Sequence, residues 1–95
     1  MISLIWEPDA KEDVRLIYAQ LYDYSPALAD DWSDELEKKV AVLLNFPEMG
    51  RLVPELQIRF IREVFVRRFR LVYQYQDNVI RVLAIRPMGR PLGKI

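Results

Sequence analysis

Residues 60–85 read FIREVFV (60–66), RR (67–68), FRLVYQY (69–75), QDN (76–78) and VIRVLAI (79–85). Branched and aromatic side chains dominate the three longer runs, and such side chains suit a pleated, half-buried surface. The runs predict three strands, Phe60–Val66, Phe69–Tyr75 and Val79–Ile85. The connection at Arg67-Arg68 is tight. The one at Asp77-Asn78 is a two-residue hairpin turn, because both residue types tolerate a positive φ. Three strands joined in this way make an antiparallel meander.

Before the strands the period is helical. Ala29, Trp32, Leu36, Val40 and Leu43 recur at steps of three and four, giving the apolar stripe of a helix that should end near Phe46-Pro47. Its polar face begins with Asp30, Asp31, Asp34, Glu35 and Glu37 and turns to Lys38 and Lys39, the order that the helix dipole favours. Ser25 is placed to cap it. Ala10, Val14, Ile17 and Leu21 form a second stripe, on a helix opened by Pro8-Asp9. Ile2–Trp6 reads as a strand stopped by Pro8. Helices segregated from a run of strands predict an α+β fold. The expected form is an N-terminal strand and a two-helix hairpin on one face of a three- to four-stranded, mainly antiparallel sheet. Phe46–Arg51 is a turn by its Pro and Gly content, and the stretch through Pro54 and Gln57 reads as a loop. With two prolines and two glycines in residues 86–95, the segment 87–95 is expected to be a flexible tail.

Residues 1–95 fit one domain, and 52% apolar residues suffice for one core. The absence of cysteine excludes disulfide and thiolate chemistry, and the absence of histidine removes the commonest metal ligand and general base. No metal or cofactor is expected. Glu7 and Asp9 break the first apolar run too early for a signal peptide, and no run reaches the roughly 20 residues that span a bilayer. A cytoplasmic protein is expected. Formal charge sums to zero but is divided: residues 1–50 hold four basic and eleven acidic side chains, residues 51–95 ten and three. Nine of the ten basic residues in the second half are arginine, a fixed planar fork suited to carboxylate and phosphate.

The chain resembles the RelE/ParE superfamily of bacterial toxins from type II toxin–antitoxin modules. Three pieces carry the resemblance: Ile17-Tyr18 with Ser25-Pro26-Ala27; the connector Phe46-Pro47-Glu48-Met49-Gly50-Arg51-Leu52-Val53-Pro54-Glu55-Leu56; and the strand block from Ile61 to Leu83. They span nearly the whole chain in order, and the connector is closer to the ParE branch. The resemblance implies a toxin neutralised by a cognate antitoxin, whose flexible segment is expected to be acidic. ParE-like members inhibit DNA gyrase, whereas RelE-like members cleave messenger RNA on the ribosome.

For RNA cleavage, Arg70 matches a catalytic strand arginine of the RelE-like nucleases, with Arg86 and Arg90 near a second. The structural alternative for Arg70 is an exposed strand arginine paired with Glu63 on the neighbouring strand. The nuclease pattern is otherwise incomplete. There is no tyrosine near Gly93-Lys94-Ile95, no lysine in residues 51–69, and no net positive charge to drive phosphate binding. Tyr73 and Tyr75 are better placed as core residues beside Leu71. No helix has the basic face that direct DNA recognition requires. The arginine block reads instead as a protein-binding surface. The candidates for contact with target or antitoxin are Arg62, Arg67, Arg68, Arg81, Arg86, Met88, Arg90, Leu92 and Lys94. The favoured reading is a gyrase inhibitor that acts by protein–protein contact. A messenger-RNA endonuclease is the alternative, and a non-toxic antitoxin-binding relative is a second.

Overall fold

A computed structural model describes residues 1–95. Strand β1 (Ser3–Trp6) leads into α1 (Pro8–Tyr24) and α2 (Pro26–Asn45), then β2 (Arg51–Leu52), β3 (Ile61–Val66), β4 (Phe69–Gln76) and β5 (Val79–Pro87). The sheet has five strands in the order β1-β5-β4-β3-β2, and only the β1–β5 pair is parallel. The expected three to four strands are therefore too few by the two-residue β2. That strand lies inside a Pro- and Gly-containing connector and exists because Arg51 and Leu52 pair with Glu63 and Arg62. No local pattern announces such a pairing.

The helices begin and end as their sequence dictates. Pro8 and Pro26 sit in the first helical turns, where a missing N–H costs nothing. Ser25 Oγ accepts from Leu28 N at 3.2 Å and caps α2, a contact worth about 1 kcal/mol. The two stripes meet the sheet: Ala10, Ile17, Trp32, Leu36 and Leu43 pack with Val64, Val66, Leu71, Tyr73, Ile80, Val82 and Ile85. Asp77 and Asn78 adopt φ of 54° and 61°, as a tight hairpin between twisted strands requires.

One irregularity re-aims β5. Val72 lies opposite Ala84 and Tyr73 opposite Val82, so Leu83 is left unopposed in a bulge. The face then shifts, and Ile85 rather than Ala84 follows Ile80 and Val82 into the helix-side core. Leu83 packs on the other face, against a small cluster of Val53, Val72 and Leu92.

Leu92 corrects an expectation. It was placed among the accessible contact residues of a flexible tail, but it is 3% exposed and anchors the tail on Val53 and Val72. A single leucine between Pro91 and Gly93 has no periodic neighbour to signal that it is buried.

Candidate functional site

The connector from Phe46 to Leu56 builds the most organised polar feature of the molecule. Arg51 and Glu63 are directly opposed on β2 and β3, and Arg70 reaches Glu63 diagonally from β4, where its own opposite residue is Phe65. Arg51 Nε donates to Glu63 Oε2 at 2.7 Å and Arg70 Nε donates to Oε1 at 2.6 Å. After β2, Val53 is buried in the outer cluster, and Leu56 N and Gln57 N both donate to its carbonyl. That turn swings Glu55 over Arg70. Arg70 Nη1 and Nη2 then donate to the two Glu55 oxygens, both at 2.7 Å.

The result is a chain of four alternating charges on the face of the sheet away from the helices. The Glu63 side chain is fully buried and that of Arg70 is 8% exposed. The fork of Arg70 holds the Glu55 carboxyl down at about 2, and the Glu55 carboxylate, with Glu63, pushes the Arg70 guanidinium above its ordinary value. A carboxylate held low contributes its stabilisation above the unfolded-chain value of about 4.3 and loses it as pH falls towards 2. Glu55→Gln is therefore expected to be less stable than the parent at neutral pH, with the gap closing between about pH 4.5 and 2. Urea midpoints across that range test this, and a gap independent of pH would refute it.

The Glu63 partner expected for Arg70 is present, but Arg70 is buried, not exposed. The difference comes from Glu55 and the loop that carries it, which cover the guanidinium. Of the other arginines proposed for catalysis, Arg86 also meets a carboxylate. Strand β1 ends at Val82 in the β5 register, so the outer edge of β5 has no strand partner beyond it. Asp13 of α1 takes over that edge, accepting from Ile85 N at 2.9 Å and from Arg86 Nη1. Arg90 is exposed.

The contact candidates do not form one surface. Arg62 donates to the Gly50 carbonyl at 2.8 Å, and Arg81 pairs with Glu7 at 3.3 Å. Arg62 lies at the start of β3, about 15 Å along the strand from the Arg67-Arg68 turn at its end. Arg67, Arg68 and Met88 do come together. Met88 N donates to the Arg68 carbonyl at 2.8 Å, and Phe69 is opposite Pro87. The tail thus runs beside the hairpin tip. Lys94 is tied in only through its carbonyl, 3.5 Å from Arg86 Nη2.

Arg51, Glu55 and Asp13 were missed as partners. Glu55 had a signal, since it lies in the connector motif two residues after the apolar Leu52-Val53. Asp13 had none, because it meets Ile85 and Arg86 across more than seventy residues.

The sequence pattern of the ParE toxin of type II toxin–antitoxin systems, parDE, matches residues 4–92. The chain belongs to the ParE toxin family. The match covers both helices, the connector, β2 to β5, all of β1 but Ser3, and Leu92. Among solved structures, the ParE-family chain is similar to one described as the chromosomal ParDE TA system from P. aeruginosa. That likeness has a TM-score of 0.75 and 21% identity over 92% of this chain and 96% of the other. It is also similar to the E. coli DinJ–YafQ complex, with a TM-score of 0.70 and 15% identity over 98% and 100%. At these identities the likeness is one of fold. No curated protein matches the chain in sequence. No helix is long and apolar enough to cross a membrane.

Proposed function

We propose that this ParE-family toxin acts in the cytoplasm on DNA gyrase, by protein–protein contact and without catalysis of its own. We further propose that a cognate antitoxin with an acidic, flexible segment neutralises it. The observation that carries the proposal is the state of Arg70. Its Nε, Nη1 and Nη2 are all engaged by Glu63 and Glu55, so the planar edges a scissile phosphate would need are occupied by carboxylates. Arg86 is paired with Asp13 through Nη1 alone. The absence of histidine leaves no side chain with an ordinary pKa near neutrality to serve as general base. A partner is further supported by the two similar structures, one a toxin–antitoxin system and one a complex of two proteins.

The test is a pulse-label in bacteria during the first minutes after induction. Thymidine incorporation is expected to stop while methionine incorporation continues, and the purified chain is expected to block supercoiling by gyrase. Methionine incorporation stopping first would overturn the gyrase reading in favour of the ribosome. If neither label changes, the chain is an antitoxin-binding relative that is not toxic.

A further inference from the structure

The end of the sheet where the β3–β4 hairpin turns carries four features that the fold does not require. The turn itself is Arg67-Arg68, and Arg67 has a φ of 53°, a region that glycine or asparagine ordinarily fills in tight hairpins. Arginine takes that conformation against local backbone preference, and backbone strain of that kind collects at functional sites. Beside the turn is a cleft of about 220 Å³ lined by Leu21, Leu28, Trp32, Phe69 and the two arginines. Within its wall, Trp32 is 1% exposed, and its indole N–H is buried without an acceptor. Buried polar groups are nearly always paired, so this donor is an exception that calls for a cause. Finally, the local charges are not all answered. Glu35 of α2 pairs with Arg67 at 2.9 Å, but Arg68 has no carboxylate within 4 Å.

We propose that this end of the sheet docks an acidic peptide segment, one aliphatic side chain of which fills the cleft while a flanking carboxylate meets Arg68. The cleft is smaller than the 300 Å³ or more of a pocket for a drug-sized ligand, and suits one aliphatic side chain. Met88, 46% exposed on the tail beside Arg68, extends the apolar rim with an adaptable side chain. Arg68 is free to take a carboxylate without breaking an existing pair, unlike Arg70 and Arg86. The occupant is the acidic segment of the antitoxin, so the inference rests on the proposal that such an antitoxin restrains the chain.

The experiment titrates the ¹⁵N-labelled full chain at low ionic strength with three end-blocked pentapeptides. These are Asp-Glu-Leu-Asp-Glu, its amide counterpart Asn-Gln-Leu-Asn-Gln, and Asp-Glu-Ser-Asp-Glu. The first is expected to give saturable shifts at the Trp32 indole N–H, assigned with Trp32→Phe, and at residues 67–69. Exchanging leucine for serine removes one buried aliphatic group and is expected to weaken binding about tenfold. Arg68→Ala, at an exposed site with no side-chain partner, is expected to weaken it about threefold, with a smaller effect at high salt. Shifts centred elsewhere, equal binding of the leucine and serine peptides, or an unchanged affinity in Arg68→Ala would each overturn the site. Gyrase supercoiling is measured on the same preparation. Inhibition without peptide binding rejects this docking site and leaves the gyrase reading standing. Peptide binding without inhibition does the reverse.

Discussion

Arg70→Ala is expected to lower the stability of the chain by about 3–5 kcal/mol, the range for removing one partner of a buried ion pair. The cost arises at Glu63, not at the deleted side chain. Its carboxylate is fully buried and would retain only Arg51, whose side chain is 57% exposed and whose hold on it is correspondingly weak. Glu55 is less affected, because at 40% exposure it can turn to water. Arg70→Lys keeps the charge but not the fork, and one ammonium cannot span both Glu55 oxygens and Glu63. An intermediate loss is expected. Arg70→Met combined with Glu63→Leu should recover most of the stability, since replacing both charges with apolar groups leaves nothing buried and unpaired. Urea unfolding of the four proteins measures this. A single-alanine loss below about 1 kcal/mol would mean that Glu63 finds water or another donor.

The same set separates structure from action. Growth arrest lost in Arg70→Ala has two explanations, a failed fold or a missing charge at the target. The Met/Leu double variant keeps the fold without the guanidinium. Under the gyrase proposal it should still arrest growth, because Arg70 holds the connector and touches no target. If the double variant is folded and harmless, Arg70 acts outside the chain and the nuclease reading regains its main residue.

How far the sequence could be read depended on whether a feature is repeated locally. Ala10, Ile17, Trp32, Leu36 and Leu43 are each one of several apolar residues at helical spacing, and all reach the core. Asp77-Asn78 carries its turn chemistry in two adjacent residues. By contrast, β2 has two residues and takes its identity from β3, and Leu83 is displaced by a bulge visible only in the β4–β5 register. Site legibility failed for the same reason. Arg70 and Glu63 are seven residues apart on adjacent predicted strands, and their pairing could be foreseen. Glu55 approaches from a loop whose path depends on Val53 burying itself beside Val72 and Leu92, a contact set by tertiary packing alone. A motif match located the connector without saying what its residues do. The geometry assigns them: Pro47 supplies an acceptor, Gly50 the space, Arg51 and Glu55 the charges, and Val53 the anchor.

The space at Gly50 leads to the other large expected effect. A Cβ there would lie 2.6 Å from Tyr73 Oη, 2.7 Å from the Glu63 carbonyl oxygen and 2.9 Å from Tyr73 Cε1. None of these atoms can move away cheaply. The carbonyl belongs to β3, held on both sides by β2 and β4. Tyr73 is fully buried, and burial raises its phenol pKa. Its hydroxyl donates to the Pro47 carbonyl at 2.7 Å and accepts from Gly50 N at 3.1 Å, so any shift of the ring breaks the bonds that close the connector. Gly50→Ala is expected to cost about 1–3 kcal/mol as overpacking, and up to about 1–3 kcal/mol more if those hydrogen bonds break. Tyr73→Phe removes the hydroxyl and leaves the Pro47 carbonyl and Gly50 N–H unpaired, for a loss of about 1–3 kcal/mol. The combination should cost clearly less than the two losses added, because the new methyl group then meets a space the hydroxyl has vacated. Strict additivity in this cycle would mean that Glu63, not Tyr73, is the group the methyl strikes. Because the connector also carries Glu55 and Arg51, the single Gly50→Ala change should weaken the Arg70 network without altering any of its four side chains. The test is a second cycle, with Glu55→Gln. If the loop has lifted, the stability gap between Gly50→Ala and Gly50→Ala/Glu55→Gln at neutral pH should be smaller than that between the parent and Glu55→Gln.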